Sequence, residues 1–275
     1  MTITSTFSDS DAYELQMGRW SRRLAEPFLD FSGAADGEDV LDVGCGTGSL
    51  TFAIVRRSNV KSICGLDSAA AYIDSATKKN TDHRIEFRVG DACAVPFPDG
   101  SFDRVLSLLM LHFVPKAELA IKELRRVARP GATVAAAVWD GRGGFVAQRM
   151  FFDTAAMLDP KGGEARAQQF TRPMCQPGQL EAAWRAAGFE NVHQSTVMTR
   201  MEFASFEDYW APYLGRQAGA ASYVATLSEE QRTKLRNHVR LAYLDGDPSG
   251  YIPTKGGHLT RVSMSHPGYR PGKSP

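Results

Sequence analysis

The sequence predicts an α/β protein with a mostly parallel sheet and helices on both faces. Three observations predict it: short apolar runs alternate with helix-like segments, several of these runs end at aspartate or glycine, and one leads directly into a glycine-rich turn. Because parallel strands need a crossover connection that is usually helical, this alternation is typical of a doubly wound, Rossmann-like sheet.

The first half of the chain supplies five predicted strands in order. Amphipathic helices are expected first, over residues 13–31, where apolar side chains recur at helical spacing. Helices are then expected from about Ser49, from a cap at Ser68, and over 116–128 before a turn at Pro130 and Gly131. The apolar runs between them predict strands at 40–43, 62–66, 85–89, 102–109 and 133–139.

Beyond Asp140 the alternation stops. Residues 141–177 and 206–244 read as two largely helical insertions, separated by the helix PGQLEAAWRAAGF and a sixth strand over 192–203. The last residues are rich in glycine and proline, so they are either disordered or supply a final strand through HLTRVSMSH.

Composition limits the partners that the chain can have. With 275 residues, 43% of them hydrophobic, it can bury a large core as one domain. Its 32 Lys and Arg against 31 Asp and Glu give a net charge of +1, so no global field draws it to phosphate backbones or anionic membranes. We therefore predict neither a nucleic acid nor a membrane as partner.

The cysteines and the first residues bear on location. Four cysteines lie far apart, without a CxxC pair or a histidine at metal-ligand spacing, which predicts reduced thiols and no metal site. No apolar run approaches the roughly 20 residues of a membrane-spanning helix, and MTITSTFSDSDAYE lacks the basic start and apolar stretch of a secretion signal. The sequence thus favours a cytoplasmic protein.

A glycine-rich loop and three aspartates carry the predicted chemistry. The loop DVGCGTG joins a strand to a helix, where glycine lets the backbone approach a ligand closely. Asp42, Asp67 and Asp91 end three successive strands, on the edge where open α/β sheets bind ligands. Asp67 lies about 20 residues past the loop, where a carboxylate can accept from both ribose hydroxyls. Asp91, with its neighbour Ala92, is placed to accept from an adenine amino group.

These segments resemble a known family. VLDVGCGTGSL, GLDSA, GDACAVPFPDGSFDRV and RPGATV look like the successive motifs of class I S-adenosylmethionine-dependent methyltransferases, over residues 38–140. Within that family the chain is most similar to the group of ubiquinone and menaquinone biosynthesis methyltransferases. The resemblance implies S-adenosylmethionine as cofactor and a seven-stranded sheet closed by an antiparallel last strand, for which HLTRVSMSH is unusually polar.

The resemblance also implies roles for single residues. Gly44 and Gly46 would face the methionine part of the cofactor, Asp67 the ribose, and Asp91 with Ala92 the adenine. Asp42 would anchor the loop and hold the cofactor's amino group, directly or through water. The other predicted cofactor-binding residues flank these positions: Cys45, Ser68, Ser107, Leu108, and, in the leading helices, Tyr13 and Arg19.

Two of these residues leave alternatives open. Arg19 either pairs with the cofactor's carboxylate or is a solvated arginine beside Trp20. His112, after the fourth strand, is either a general base or a packing residue at a helix start. It is the one candidate for a catalytic residue.

The predicted domain organisation follows from the motifs. Residues 1–140 hold the N-terminal helices and the cofactor-binding half of a Rossmann-like domain, residues 141–250 the rest of that domain with helical lid insertions, and residues 251–275 the tail. Aromatic side chains of the insertions either form a lid and a pocket for the acceptor or pack the insertions onto the sheet. They are Phe145, Phe151, Phe152, Phe170, Tyr209, Trp210, Tyr213 and Tyr223.

The predicted function is methyl transfer to a small, partly apolar acceptor. The segment SLLMLH lacks the Pro-Pro-aromatic motif in which amino-methylating enzymes of nucleic acids resemble one another, so a nucleic-acid base is disfavoured. An NAD-dependent oxidoreductase is the alternative, but Ser49 stands where a dinucleotide loop has its third glycine, and Asp42 would repel a pyrophosphate. A non-catalytic module that binds S-adenosylmethionine is a further alternative.

Overall fold

The computed structural model describes residues 10–33, 35–141, 144–215, 220–244 and 258–267. Its strands form a single sheet. They are β1 (Asp39–Val43), β2 (Ser62–Asp67), β3 (Ile85–Val89), β4 (Phe102–Leu108), β5 (Ala128–Trp139), β6 (Val192–Met201) and β7 (His258–Pro267).

Helices fill most of the remaining described chain. Three of them lie between parallel strands that follow one another along the chain, as the crossovers of a parallel sheet require. The helical segments are α1 (Ser10–Tyr13), a π-helical turn (Glu14–Gly18), α2 (Arg19–Ser32), α3 (Ser49–Arg57), α4 (Ala70–Lys79), a 3₁₀ turn (Leu111–Phe113), α5 (Ala117–Val127), α6 (Val146–Leu158), α7 (Pro160–Phe170), α8 (Gln179–Ala186), α9 (Phe206–Trp210), a second 3₁₀ turn (Ala211–Leu214), α10 (Ala220–Ala225) and α11 (Glu229–Leu244).

The strand order β3-β2-β1-β4-β5-β7-β6 creates a switch point beside β1. Strands β1 to β5 pair in parallel, and β7 pairs antiparallel with both β5 and β6. The chain therefore leaves β1 first toward β2 and β3, then returns to add β4 and β5 on the other side. In such sheets ligands bind at the carboxyl ends of the strands, in the crevice where the connections to either side of the first strand diverge.

Apolar side chains cover both faces of the sheet. Successive residues of β1 point to opposite sides, so Val40 joins a core with α2, α3 and α6 while Leu41 joins a second core with α5 and α8. Both side chains are fully buried. The Rossmann-like α/β class expected from the sequence is confirmed.

The leading segment forms two helices that a π-helical turn joins end to end. The apolar face of α2 is buried through Trp20, Leu24, Phe28 and Leu29, whereas Leu15 in the π-helical turn remains 45% exposed. In the described part of the chain, the helices are too short or too polar to span a bilayer.

Two local expectations are wrong. Helix α4 begins at Ala70 and its N-cap residue is Ala69, so Ser68 does not cap it. Pro130 and Gly131 lie within β5, which begins at Ala128, although Gly131 keeps a φ of +80°. The pairing with β4 shifts register between Phe102 and Arg104, so this irregular strand start replaces the expected turn.

Candidate cofactor-binding site

The glycine loop after β1 turns sharply into α3. Gly44, Gly46 and Gly48 have φ values of +77°, +55° and +90°, which L side chains rarely adopt. The Gly44 and Cys45 amides both donate to the Leu66 carbonyl, at 2.7 and 3.1 Å, which fixes the loop against the end of β2. A Cβ on Gly44 would collide with the Met110 side chain. The loop conformation therefore requires glycine.

The Asp67 carboxylate sits beside this loop, at the end of β2. Its Oδ2 accepts from the Gly46 amide and its Oδ1 from the Ala69 amide, each at 2.9 Å. Burial raises the pKa of Asp67 despite these hydrogen bonds. The side chain is thus held in one orientation at the carboxyl edge of the sheet.

A cavity of about 700 Å³ opens along this edge. That volume lies within the roughly 300–1,000 Å³ of small-molecule and cofactor sites. The cavity brings together most of the predicted cofactor-binding residues: Tyr13, Gly44, Gly46, Asp67, Ser68, Asp91, Ala92 and Leu108.

Three other predicted residues lie behind the cavity wall rather than on it. Asp42 is fully buried, and its Oδ2 accepts from the Thr51 hydroxyl at 2.7 Å. Burial raises the pKa of Asp42 to about 7. Cys45 and Ser107 are also buried. The geometry fits Asp42 as the anchor between the loop and α3, and its contact with a cofactor amino group stays a prediction.

Arg19 is not brought into the cavity. Its Nη1 binds both carboxylate oxygens of Asp208, at 3.0 and 2.9 Å. The guanidinium carbon lies 4.6 Å from the centre of the Trp20 ring and 5.1 Å from that of Phe203. The expectation that it pairs with the cofactor's carboxylate therefore finds no support, because a carboxylate of the second insertion already holds the charge.

His112 is enclosed rather than poised for proton transfer. It is 2% exposed, and neither ring nitrogen has a hydrogen-bond partner in the described part of the chain. Its ring lies 4.2 Å from the Phe113 ring. Burial, with a smaller effect of the Arg172 charge, lowers its pKa well below the usual value. This arrangement fits the packing alternative and gives a general base no access to the cavity.

The leading helices lie over the glycine loop, with Tyr13 beside Gly46. A Cβ on Gly46 would lie 3.2 Å from the Tyr13 hydroxyl oxygen, and the Tyr13 and Tyr72 ring centres are 4.9 Å apart. Glu14, which the sequence analysis missed, accepts hydrogen bonds from the Thr47 hydroxyl and, at 3.1 Å, from Lys79. Glu14 directly follows the predicted site residue Tyr13, and that position in the sequence could have identified it.

The aromatic side chains of the insertions mostly pack against one another. Phe145 lines the cavity. Phe151 instead stacks on Tyr213 with ring centres 4.2 Å apart, and the buried Tyr209 donates to the Ala147 carbonyl at 2.6 Å. Most of the aromatic residues expected in a lid thus form the core between the insertions and the sheet.

The far side of the cavity contains polar residues that the sequence analysis did not select. Gln148, Gln169 and Arg172, all from the insertion after β5, line it together with apolar groups. No strand end or motif marks these positions, because the insertions bring them there through tertiary packing.

Part of this chain is similar in sequence to known methyltransferases. Residues 41–136 match a family model described as a methyltransferase domain. The chain is 31% identical over 132 residues to a malonyl-[acyl-carrier protein] O-methyltransferase of Serratia marcescens. The matched residues are 48% of this chain and 50% of that protein. It is 37% identical over 103 residues to a demethylmenaquinone methyltransferase of Lactobacillus johnsonii, covering 36% and 42%. The matches thus span half or less of these curated relatives.

A solved structure extends the likeness beyond the matched residues. Haemonchus contortus phosphoethanolamine N-methyltransferase 2 in complex with S-adenosyl-L-methionine superposes with a TM-score of 0.60 at 16% identity, over 97% of this chain and 60% of that one. At that identity the likeness shows the fold alone.

The fold and site define a Rossmann-like domain with a ligand-binding carboxyl edge. Within it, residues 41–136 are similar to a methyltransferase domain.

Proposed function

We propose that the protein transfers a methyl group from S-adenosylmethionine to a small, partly apolar acceptor. The observation that carries this proposal is the cavity in which Gly44, Gly46, Asp67 and Asp91 meet at the carboxyl edge of the sheet. They come from three parts of the sequence pattern, namely the glycine loop, the end of β2 and the segment after β3, and the parallel sheet brings them to one ligand site.

The residues present fit this cofactor. Gly44 and Gly46 line the cavity at positions where a side chain would collide with Met110 or press on Tyr13, so bare backbone faces the ligand. Asp67 and Asp91 offer carboxylate acceptors to the hydroxyl and amino groups of a nucleoside. A negatively charged edge also favours a cationic sulfonium over a pyrophosphate. The relatives named above support no dinucleotide alternative.

The chain's own residues would act mainly by positioning and by excluding water. When bound, the cofactor supplies an already activated methyl group, so the protein needs no nucleophile of its own. Leu108 borders the expected position of the methionine chain, and Phe113, Trp139 and Phe145 give the neighbouring wall an apolar surface. His112 is enclosed, so we assign no protein base to the reaction.

The acceptor is proposed only as a class. One relative is named a malonyl-[acyl-carrier protein] O-methyltransferase and another a demethylmenaquinone methyltransferase. The mixture of apolar and polar residues at the cavity suits partly apolar molecules of that kind better than a nucleic-acid base. Membership of the quinone group and a cytoplasmic location stay predictions, which acceptor screening and cell fractionation would test.

Calorimetric titration tests the proposed cofactor. We expect S-adenosylmethionine and S-adenosylhomocysteine to bind the wild type, and NAD not to bind. Asp67→Asn should weaken the binding of S-adenosylmethionine and of S-adenosylhomocysteine by about 10-fold or more, because a charge-assisted hydrogen bond contributes roughly 1.5–3 kcal/mol. Asp99→Asn makes the same change on a carboxylate that is 80% exposed and outside the cavity, and should leave both affinities unchanged.

Three results would contradict the proposal. Binding of NAD alone would assign the loop to a dinucleotide. Equal losses in Asp67→Asn and Asp99→Asn would show that the effect does not come from the cavity. A wild type that binds the cofactor but forms no S-adenosylhomocysteine with quinol or acid acceptors would favour the non-catalytic alternative.

A further inference from the structure

Arg172 is a charged residue on the far side of the cavity. It follows α7 and lines the cavity, with its guanidinium carbon 4.7 Å from the centre of the Phe113 ring. Three residues later, Cys175 packs near Gly141, directly after β5, where a Cβ on the glycine would lie 3.5 Å from the Cys175 Cβ. Arg172 is thus placed against the carboxyl ends of β4 and β5.

Its charge has no protein counterion in the part of the chain that the structure describes. Neither an ion pair nor a side-chain hydrogen bond joins Arg172 to a described residue. The neighbouring arginine of the same insertion, Arg166, by contrast binds Asp153 at 2.6 Å. Burial lowers the pKa of Arg172, yet a guanidinium remains protonated at neutral pH. A largely buried cation is costly unless an anion pairs with it.

The surroundings of Arg172 differ from those of the nucleoside side. Asp67 and Asp91 lie at the ends of β2 and β3, and β1 separates those strands from β4 and β5. Near Arg172 the cavity is lined by apolar groups and by Gln148 and Gln169, whose amides hydrogen-bond to each other. An apolar chamber in which a guanidinium lacks a counterion among the described residues suits an amphipathic anion.

We propose that Arg172 binds a carboxylate of the acceptor, so that the acceptor is an apolar organic acid held by its charged end. The planar fork of a guanidinium matches a carboxylate with two parallel hydrogen bonds, which fixes orientation as well as position. The inference rests on the proposed function, because it assigns the acceptor side of the same cavity.

A carboxylate could come from two sources, since the methionine part of the cofactor also carries one. The position of Arg172 beside β4 and β5, away from the nucleoside residues, favours the acceptor. The experiment must nevertheless separate the two sources, and it can do so by titrating each ligand alone.

The probes are decanoate and its uncharged analogue decanamide, titrated by calorimetry into protein saturated with S-adenosylhomocysteine. Arg172→Gln should weaken decanoate binding by about 10-fold to 100-fold, the range expected for a charge-assisted hydrogen bond. Decanamide should bind wild type and variant equally. Arg172→Lys keeps the charge but loses the planar fork, so its affinity for decanoate should lie between those of the wild type and Arg172→Gln. Arg166→Gln, in the same insertion but outside the cavity, is the matched control and should bind decanoate like the wild type.

Three outcomes would overturn the inference. Decanoate could bind Arg172→Gln as tightly as the wild type, or bind the wild type no better than decanamide does. Alternatively, S-adenosylhomocysteine titrated alone could bind Arg172→Gln at least 10-fold more weakly, which would assign Arg172 to the cofactor's own carboxylate. The proposed function fails separately, through absent cofactor binding to the wild type, and decanoate can be titrated without cofactor in that case.

Discussion

The two sides of the cavity are built by different physical means. On the side of the predicted cofactor residues, Gly44 follows β1, Asp67 ends β2 and Asp91 lies two residues after β3, so the sheet itself sets their positions. On the opposite side, Phe145, Gln148 and Arg172 come from the insertion after β5, and only its packing onto the sheet brings them to the cavity. A strand end thus fixes a site residue locally, whereas a site residue of the insertions depends on the whole fold.

The largest expected effect, on stability, tests whether the aromatic side chains of the insertions belong to the core or to a lid over the cavity. Phe151 is fully buried, so Phe151→Ala should lower the free energy of unfolding by about 3–5 kcal/mol through lost burial and the cavity left behind. The affinity for S-adenosylhomocysteine of the remaining folded protein should not change. Urea unfolding and calorimetry measure both quantities.

Phe113→Ala is the matched change at the cavity wall, where the side chain is only half-buried. It should cost less stability than Phe151→Ala. If Phe151→Ala weakened cofactor binding while leaving stability intact, these aromatics would belong to the site and the comparison would fail.

The glycine loop gives the next effect. Gly44→Ala would place a Cβ into Met110 at a positive φ, so we expect a loss of about 2–4 kcal/mol of stability and at least a 10-fold loss of cofactor affinity. Gly131→Ala also meets a positive φ, of +80°, but its Cβ would have no neighbour within 4 Å. That control should lose only about 1–2 kcal/mol and no affinity. Equal cofactor affinities in the two variants would contradict the account.

Asp42 makes a pH-dependent contribution of similar size. Its folded pKa of about 7 lies above that of the unfolded chain, because burial disfavours the carboxylate. The folded state therefore keeps a proton that the unfolded state loses first, and stability falls as pH rises from about 4 to 7. Relative to Asp42→Asn, the wild type should lose about 3–4 kcal/mol over that range. Urea unfolding at several pH values checks this, and parallel curves for the two proteins would disprove it.

The smallest effect belongs to Arg19. Because its ion pair with Asp208 is partly exposed, Arg19→Ala should cost about 1 kcal/mol of stability. Cofactor affinity should stay within about twofold, since Arg19 lies outside the cavity. A double-mutant cycle with Asp208→Ala isolates the pair. If Arg19→Ala strongly weakened cofactor binding without lowering stability, Arg19 would instead be assigned to the cofactor's carboxylate.

The same contrast explains how much the sequence could predict. Apolar periodicity located the strands β1 to β4 within about a residue and the edge residues that follow them, because a buried parallel strand is a continuous apolar run. For Arg19 and His112 the sequence left two alternatives open, for a different reason. Their partners, Asp208 and the enclosing Phe113, depend on contacts across the fold that spacing along the chain does not encode.

Arg172 could not be selected from the sequence at all. An arginine in a polar stretch normally lies on the surface, and only the burial of the insertion against β4 and β5 makes this one a cavity residue. The lid aromatics were ambiguous in sequence for a related reason, since core packing and ligand contact favour the same side chains.

The most direct test of the central claim is a crystal structure of the complex with S-adenosylhomocysteine. We expect the ribose hydroxyls within hydrogen-bond distance of the Asp67 carboxylate, the adenine beside Asp91 and Ala92, and the amino-acid part against Gly44 and Gly46. A ligand bound away from the carboxyl edge of β1 to β3 would contradict it, as would a nucleoside that contacts the Arg172 side of the cavity instead.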